Sequence, residues 1–205
     1  MTPLTVRPFG PAALLVETPD VLAVHAALVT PPTGVTDIVP AAATVLVCFD
    51  SSMITPAAVR AWIDRSTVHP ARIDEADDAP IVELAVRYDG PDLLAAAAAA
   101  GVPVDTLIGD HQRARWRVAF TGFAPGFGYL VAENWPHRLR RLAAPRTRVP
   151  VGSVALADGF SGVYPRATPG GWQLIGVTDA TLFDPHRTPP ALLVPGARVR
   201  FRKMS

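Results

Sequence analysis

The stretch FTGFAPGFGYL, residues 120–130, decides how the C-terminal half of this chain folds. Its five aromatic or bulky apolar side chains are too many for a casual surface loop, and its three glycines too many for an ordinary strand. A strand running into a glycine-softened loop reconciles the two. The surrounding sequence has the same texture. RWRVAFTG, VPVGSVALA, FSGVYP, GWQLIGV and ARVRFR are short β runs separated by Gly and Pro turns, with no long helical pattern between most of them. Such a series predicts a β-barrel or sandwich. Before it come the strand IVELAVRY and the helix DGPDLLAAAAAAG, where Asp89 can cap, Pro91 fits the first turn and Gly101 closes. VPVDTLIGDHQ predicts a second short helix.

The first half reads differently. ALLVE (13–17) and TVLVCFD (44–50) have strand composition, whereas PDVLAVHAALV (19–29) and TPAAVRAWIDRS (55–66) space their apolar residues helically. Strands and helices alternating in under eighty residues predict a small α+β sandwich, a sheet with helices on one side. His25 reads as a packed or surface histidine and Cys48 as a small core residue. Residues 1–79 hold 4 Lys+Arg and 9 Asp+Glu, net −5, and residues 80–205 hold 15 and 9, net +6. The sign changes at the acidic IDEADDAP, which places a linker there and two domains at 1–78 and 79–205.

Composition excludes several classes. Apolar residues are 49% and charged residues 18% of the 205, and the 22 prolines are scattered rather than tracted. The start MTPLTVRPFG lacks a signal-peptide layout and no apolar run reaches spanning length, so a cytoplasmic chain without a membrane partner is expected. One cysteine allows no intrachain disulfide, and the five histidines (25, 69, 111, 137, 186) form no short-spaced pair, so no metal site is expected. A G-x-x-x-x-G-K-[ST] phosphate loop is absent. VGSVA and GFSGV miss the nucleophile-elbow spacing, which leaves Ser153 and Ser161 weak nucleophiles.

Two features carry more. Arg138, Arg140, Arg141, Arg146 and Arg148 crowd one segment, after Arg113, Arg115 and Arg117. Guanidinium forks suit carboxylates and phosphates. A solvated basic face is the reading for most of them; Arg146, between Pro145 and Thr147 at the start of a strand, is expected to contact a ligand. Nucleic acid is not expected, because aromatics are not interleaved with the basic residues. The second feature is the pair GFAPGFGYL and TPGGWQLIG. Glycines 126, 170 and 171 let backbone pass close to a ligand or another chain, and Phe123, Phe127, Tyr129 and Trp172 supply apolar walls. Barrel-closing turns and a binding cleft both fit.

VAFTGFAPGFGYL, PRTRVPVGSVALA, SGVYPRATPGGWQLIGVT, LFDP and PGARVRF follow one another as in the allophanate hydrolase subunit 1 family, also called the 5-oxoprolinase B component, which includes a Kip-type inhibitor of a histidine kinase. The resemblance spans nearly the whole chain. It implies a small α+β domain followed by a cyclophilin-like β-barrel. It also implies partners, homologues of the C component (allophanate hydrolase subunit 2) and of the A component, with ATP as cosubstrate in opening 5-oxoproline, a small anionic substrate, to glutamate. The same fold resembles the carboxyltransferase part of urea carboxylase, although no biotin-carrier lysine motif is present. On this resemblance Arg146 and the backbone around Gly126, Gly170 and Gly171 hold anionic groups. Gln173 hydrogen-bonds the ring amide, His111 carries a proton, and Pro125, Ser153 and Tyr164 join the cleft. The chain departs from the family pattern at Gly128 and at Phe160, where a Gln is common, and keeps Arg141 while losing the proline before it. Kinase inhibition and urea metabolism are the alternative functions; a cyclophilin-type prolyl isomerase is set aside, because a shared barrel confers no activity.

Overall fold

The computed structural model describes residues 4–67 and 81–204. The expected linker, IDEADDAP, lies outside the described residues. The chain divides into two compact units, Met1–Asp78 and Ala79–Ser205.

The N-terminal unit is one antiparallel sheet and two helices. β1 (Thr5–Pro8), β2 (Ala13–Glu17), β3 (Val35–Pro40) and β4 (Thr44–Phe49) lie in the order β1-β2-β4-β3. α1 (Val21–Ala27) starts at Asp20, whose carboxylate accepts from the Ala23 N–H at 3.1 Å. α2 (Pro56–Thr67) starts at Thr55, whose hydroxyl accepts from Ala58 N–H at 3.2 Å. On β4, Val45, Val47 and Phe49 alternate inward and meet Val24 and Leu28 of α1 and Val59, Trp62 and Ile63 of α2. Both helices therefore cover the same face. Cys48 alternates to the opposite face and is only half-buried, so it is not the core residue its strand suggested.

The C-terminal unit is a nearly closed, barrel-like sheet. Its strands are β5 (Ile81–Val86), β6 (Trp116–Thr121), β7 (Gly128–Val131), β9 (Ser153–Ala157), β10 (Phe160–Val163), β12 (Gln173–Val177) and β13 (Arg198–Lys203), in the order β12-β9-β10-β7-β6-β13-β5. The two ends of that order meet: Arg87, just past β5, and Val177 on β12 exchange backbone hydrogen bonds at 2.9 Å each way. Gly176 permits this closure, since a Cβ there would stand 2.6 Å from the Arg87 carbonyl oxygen. β8 (Arg146–Val149) and β11 (Thr168–Gly170) form a separate two-stranded ribbon.

Two helices precede the barrel strands. α3 (Leu93–Ala100) ends on Gly101 at φ 71, the left-handed cap its glycine predicts. Asp92, not Asp89, stands at its N-terminus; Asp89 pairs with Arg87 instead. α4 (Val104–Arg113) packs Leu107 and Ile108 into the main core. Alternation along β9 sends Val154 and Leu156 to that core and Ala155 and Ala157 to a second cluster on the other face. Trp116 and Phe201 are each about 99% buried in the main core. A large side chain so buried contributes roughly 1.5–3 kcal/mol.

Candidate functional site

The second face of the barrel sheet carries an aromatic floor. Phe127, Tyr129 and Trp172 meet edge to face, with ring centroids 5.0–5.5 Å apart. Phe120 stacks on Tyr129 at 4.3 Å and Tyr164 meets Phe127 at 5.3 Å. Alternation explains the grouping: Tyr129 is one step from Leu130, which faces the main core. Phe123 stands over the floor's rim, 57% exposed. It sits at φ 67, a conformation that costs a non-glycine residue on the order of 1–3 kcal/mol.

A cation lies against this floor. The Leu142 N–H donates to the Gly171 carbonyl at 2.7 Å, and Gln173 Nε2 donates to the Arg140 carbonyl at 2.8 Å. These two bonds strap the segment around Arg141 along the start of β12. The Arg141 guanidinium then rests over Gly171, where a Cβ would meet its Nε and Nη2 at 3.6 Å. Arg141 makes no hydrogen bond or ion pair among the described residues. Gly170 is packed more tightly, since a Cβ there would collide with the Tyr164 hydroxyl. Burial pushes the phenols of Tyr164 and Tyr129 up; the Trp172 backbone N–H, which bonds the Tyr164 oxygen, and Arg141 pull Tyr164 back, as Arg141 alone does for Tyr129.

Arg146, expected to contact a ligand, is held in an ion pair. Its Nη2 donates to Asp92 Oδ1 at 2.6 Å, and Asp92 Oδ2 accepts from Leu174 N–H at 2.7 Å. The charge is thus matched by a carboxylate, and the pair ties ribbon, helix and barrel strand together. Its Nη1 is buried without a hydrogen-bond partner. The cation at the floor is Arg141, which is exposed, in keeping with the solvated face the sequence suggested, and lies over Gly171. Its retention beside a lost proline was the one signal that could have singled it out.

His111, expected to carry a proton, lies elsewhere. It is fully buried on the other face of the sheet, stacked on Phe201 at 4.2 Å, with Nδ1 2.8 Å from Tyr88 Oη and Nε2 2.9 Å from Ser161 Oγ. A neutral imidazole donates at one nitrogen and accepts at the other, so both hydroxyls are served. Burial holds its pKa down at about 3, so the imidazole is neutral at pH 7. Ser161 is buried in the same network and closed off as a nucleophile. Gln173 braces the arginine segment through its amide nitrogen rather than facing a ligand with it. Ser153 donates to the Pro150 carbonyl at 2.8 Å, a turn contact. Gly126 packs against Leu182 and Phe183, leaving Pro125 exposed on the loop beside it.

A wide-mouthed hollow of about 350 Å³ lies on the N-terminal unit between α1 and β3, with His25 and Asp37 in its lining. Among the described residues no group of three His, Cys, Asp or Glu side chains gathers as for a metal, and no single helix is long and apolar enough to cross a membrane.

This arrangement joins an unpaired guanidinium to a flat aromatic surface, which suits a small acid with an apolar ring. Comparison with known proteins places the chain in a family. Residues 4–193 match the family described as the carboxyltransferase domain, subdomain C and D. The 5-oxoprolinase B component of Escherichia coli O157:H7 is 42% identical over 147 residues, 69% of this chain and 63% of that protein. The chain therefore spans less than two thirds of that relative's length. Among solved structures, TTHA0988 is 32% identical with a TM-score of 0.75, and the match covers 98% of this chain but 40% of that one. A conserved uncharacterized protein of Pyrococcus horikoshii is 31% identical with a TM-score of 0.60, covering 98% of both chains.

Proposed function

We propose that this chain, which belongs to the carboxyltransferase-domain family, subdomain C and D, is the B component of an ATP-dependent 5-oxoprolinase, working with homologues of the A and C components. Relatives that carry the name of this component support the role. The observation that carries the reading is the unpaired Arg141 guanidinium laid over Gly171 beside the Tyr129–Trp172 floor.

5-Oxoproline is a five-membered lactam bearing a carboxylate. Its amide is a poor electrophile, and opening it to glutamate consumes ATP and water and releases ADP and phosphate. Phosphorylation of the lactam oxygen makes the ring carbon attackable by water; the ring C–N bond then breaks, the nitrogen leaves as the glutamate amine, and a second water hydrolyses the resulting γ-glutamyl phosphate to glutamate and phosphate. The part assigned to this chain is to hold and orient. Arg141 grips the carboxylate through a charge-assisted fork, and the aromatic floor takes the ring methylenes and excludes water from that side. Gln173 braces the Arg141 segment through the Arg140 carbonyl, and the Asp92–Arg146 pair ties the ribbon to the barrel strand, neither touching substrate.

The test is reconstitution. This chain, with its A- and C-component homologues, ATP and 5-oxoproline, is expected to yield glutamate and ADP together, and only when all three polypeptides are present. No turnover that depends on this chain overturns the assignment.

A further inference from the structure

We infer that Phe123 is a specificity-determining wall at the edge of the aromatic floor beside Arg141, shaped for the flat apolar side of a compact ring acid. It rests on the reading of Arg141 as the carboxylate-binding cation, and it goes further in naming the residue that selects the rest of the molecule.

The motive is a mismatch between strain and burial. Phe123 lies at φ 67 inside a three-residue turn, closed by the Ala124 N–H donating to the Gly122 carbonyl at 2.7 Å. Positive φ at the centre of such a turn marks the rare, strained form of the γ-turn. Glycine would occupy it freely. Phenylalanine stands there instead, and it leaves 57% of its surface in water. Burial within this chain therefore offsets little of the strain. Strained residues persist where surrounding bonds over-determine them, and they cluster at ligand clamps. Two further bonds do that here: Phe127 N–H donates to the Ala124 carbonyl at 2.9 Å, and Gly122 N–H donates to the Phe127 carbonyl at 3.2 Å.

Position supplies the ligand class. The Phe123 ring meets the edges of Phe127 at 5.3 Å and Tyr164 at 6.0 Å. The Tyr164 hydroxyl packs against Gly170, one residue before the Gly171 over which Arg141 lies. The exposed ring and the unpaired cation thus flank one side chain, on one floor. An acid whose remaining atoms form a small flat ring touches both; a long polyanion gains nothing from the wall.

Phe123→Gly is the decisive change, because it removes ring and strain together. In the assembled complex it should raise KM for 5-oxoproline by about ten-fold or more, the cost of losing apolar contact in a pocket. It should leave kcat within about three-fold, as for lost uniform binding, and leave the chain's Tm unchanged or higher. Phe123→Leu should restore part of the KM. An unchanged KM in Phe123→Gly overturns the inference. So does a variant that instead loses its partner polypeptides on co-purification, since the loop would then be a docking element. If the wild-type complex opens no 5-oxoproline, the functional reading falls separately, and saturation-transfer NMR on the full chain with 5-oxoproline and pyrrole-2-carboxylate decides the wall. Ligand signal lost in Phe123→Gly supports it; equal signal from the variant, or none from the wild type, overturns it.

Discussion

The two faces of the barrel-like sheet hold similar chemistry and use it oppositely. On the inner face, His111, Tyr88 and Ser161 form a closed chain of 2.8 and 2.9 Å contacts in a dry core, each polar group matched to another. On the outer face, an exposed arginine with no hydrogen-bond or ion-pair partner among the described residues lies over Gly171, next to Trp172 in the chain, and a strained phenylalanine stands in water. Matched polar groups in a closed core specify the fold, whereas an unmatched charge on a half-open floor has something left to bind. Histidine is the residue type most readily assigned to catalysis, yet here it is the structural one.

Four measurements break or sharpen this contrast. The largest effect belongs to His111. Its pKa is about 3 in the folded chain against 6.5 for the free side chain. Between those values the unfolded state binds a proton that the folded state refuses, so stability falls as pH drops below about 6.5, by up to about 1.4 kcal/mol per pH unit. Above that pH the residue adds no slope. His111→Leu should remove this share of the acid dependence. It should also cost about 3–5 kcal/mol at neutral pH, because it strands two buried hydroxyls. Urea unfolding at several pH values checks both, and a variant as stable as wild type would mean that the inner face is not closed.

On the outer face the signs reverse. Arg141→Ala should lower kcat/KM of the assembled complex by about 100-fold, the worth of a charge-assisted fork, while the Tm of the chain stays within error. A large fall in Tm without loss of turnover would exchange the roles of the two faces. Arg146→Ala gives the intermediate case: about 1–3 kcal/mol of stability lost as Asp92 is left without its cation, with a smaller loss of turnover than Arg141→Ala. Smallest of all is Arg202→Ala. It breaks a fully exposed pair with Glu83, and such pairs are screened by water and salt; the unfolding midpoint should not move.

Much of the secondary structure was legible. ALLVE coincides with β2, and Thr55 and Gly101 cap the helices where their chemistry predicts. Gly/Pro-punctuated runs became barrel strands. Legibility failed where elements are short or at edges: β8, β11 and β1 span three or four residues, too few for a period to register. The site was legible as a set of residue types. Glycines 170 and 171, Trp172, Phe127 and Tyr129 do come together, with Arg141 over Gly171 and Arg146 paired to Asp92. The Asp92–Arg146 bond joins positions 54 apart, and Asp92 reaches Leu174 across 82. Nothing in the local sequence of Arg146 announces a carboxylate so distant.

The amino-acid sequence alone determined the kinds of elements and their order, because alternation, caps and glycine turns act over a few residues and leave a local pattern. It also determined the stock of aromatics and arginines from which a site could be made. Only the tertiary structure decided which arginine is neutralised, which histidine is sealed from water, and which phenylalanine is held under strain in the open. Charge balance and burial are properties of neighbourhoods, and here the neighbours arrive from fifty or more residues away.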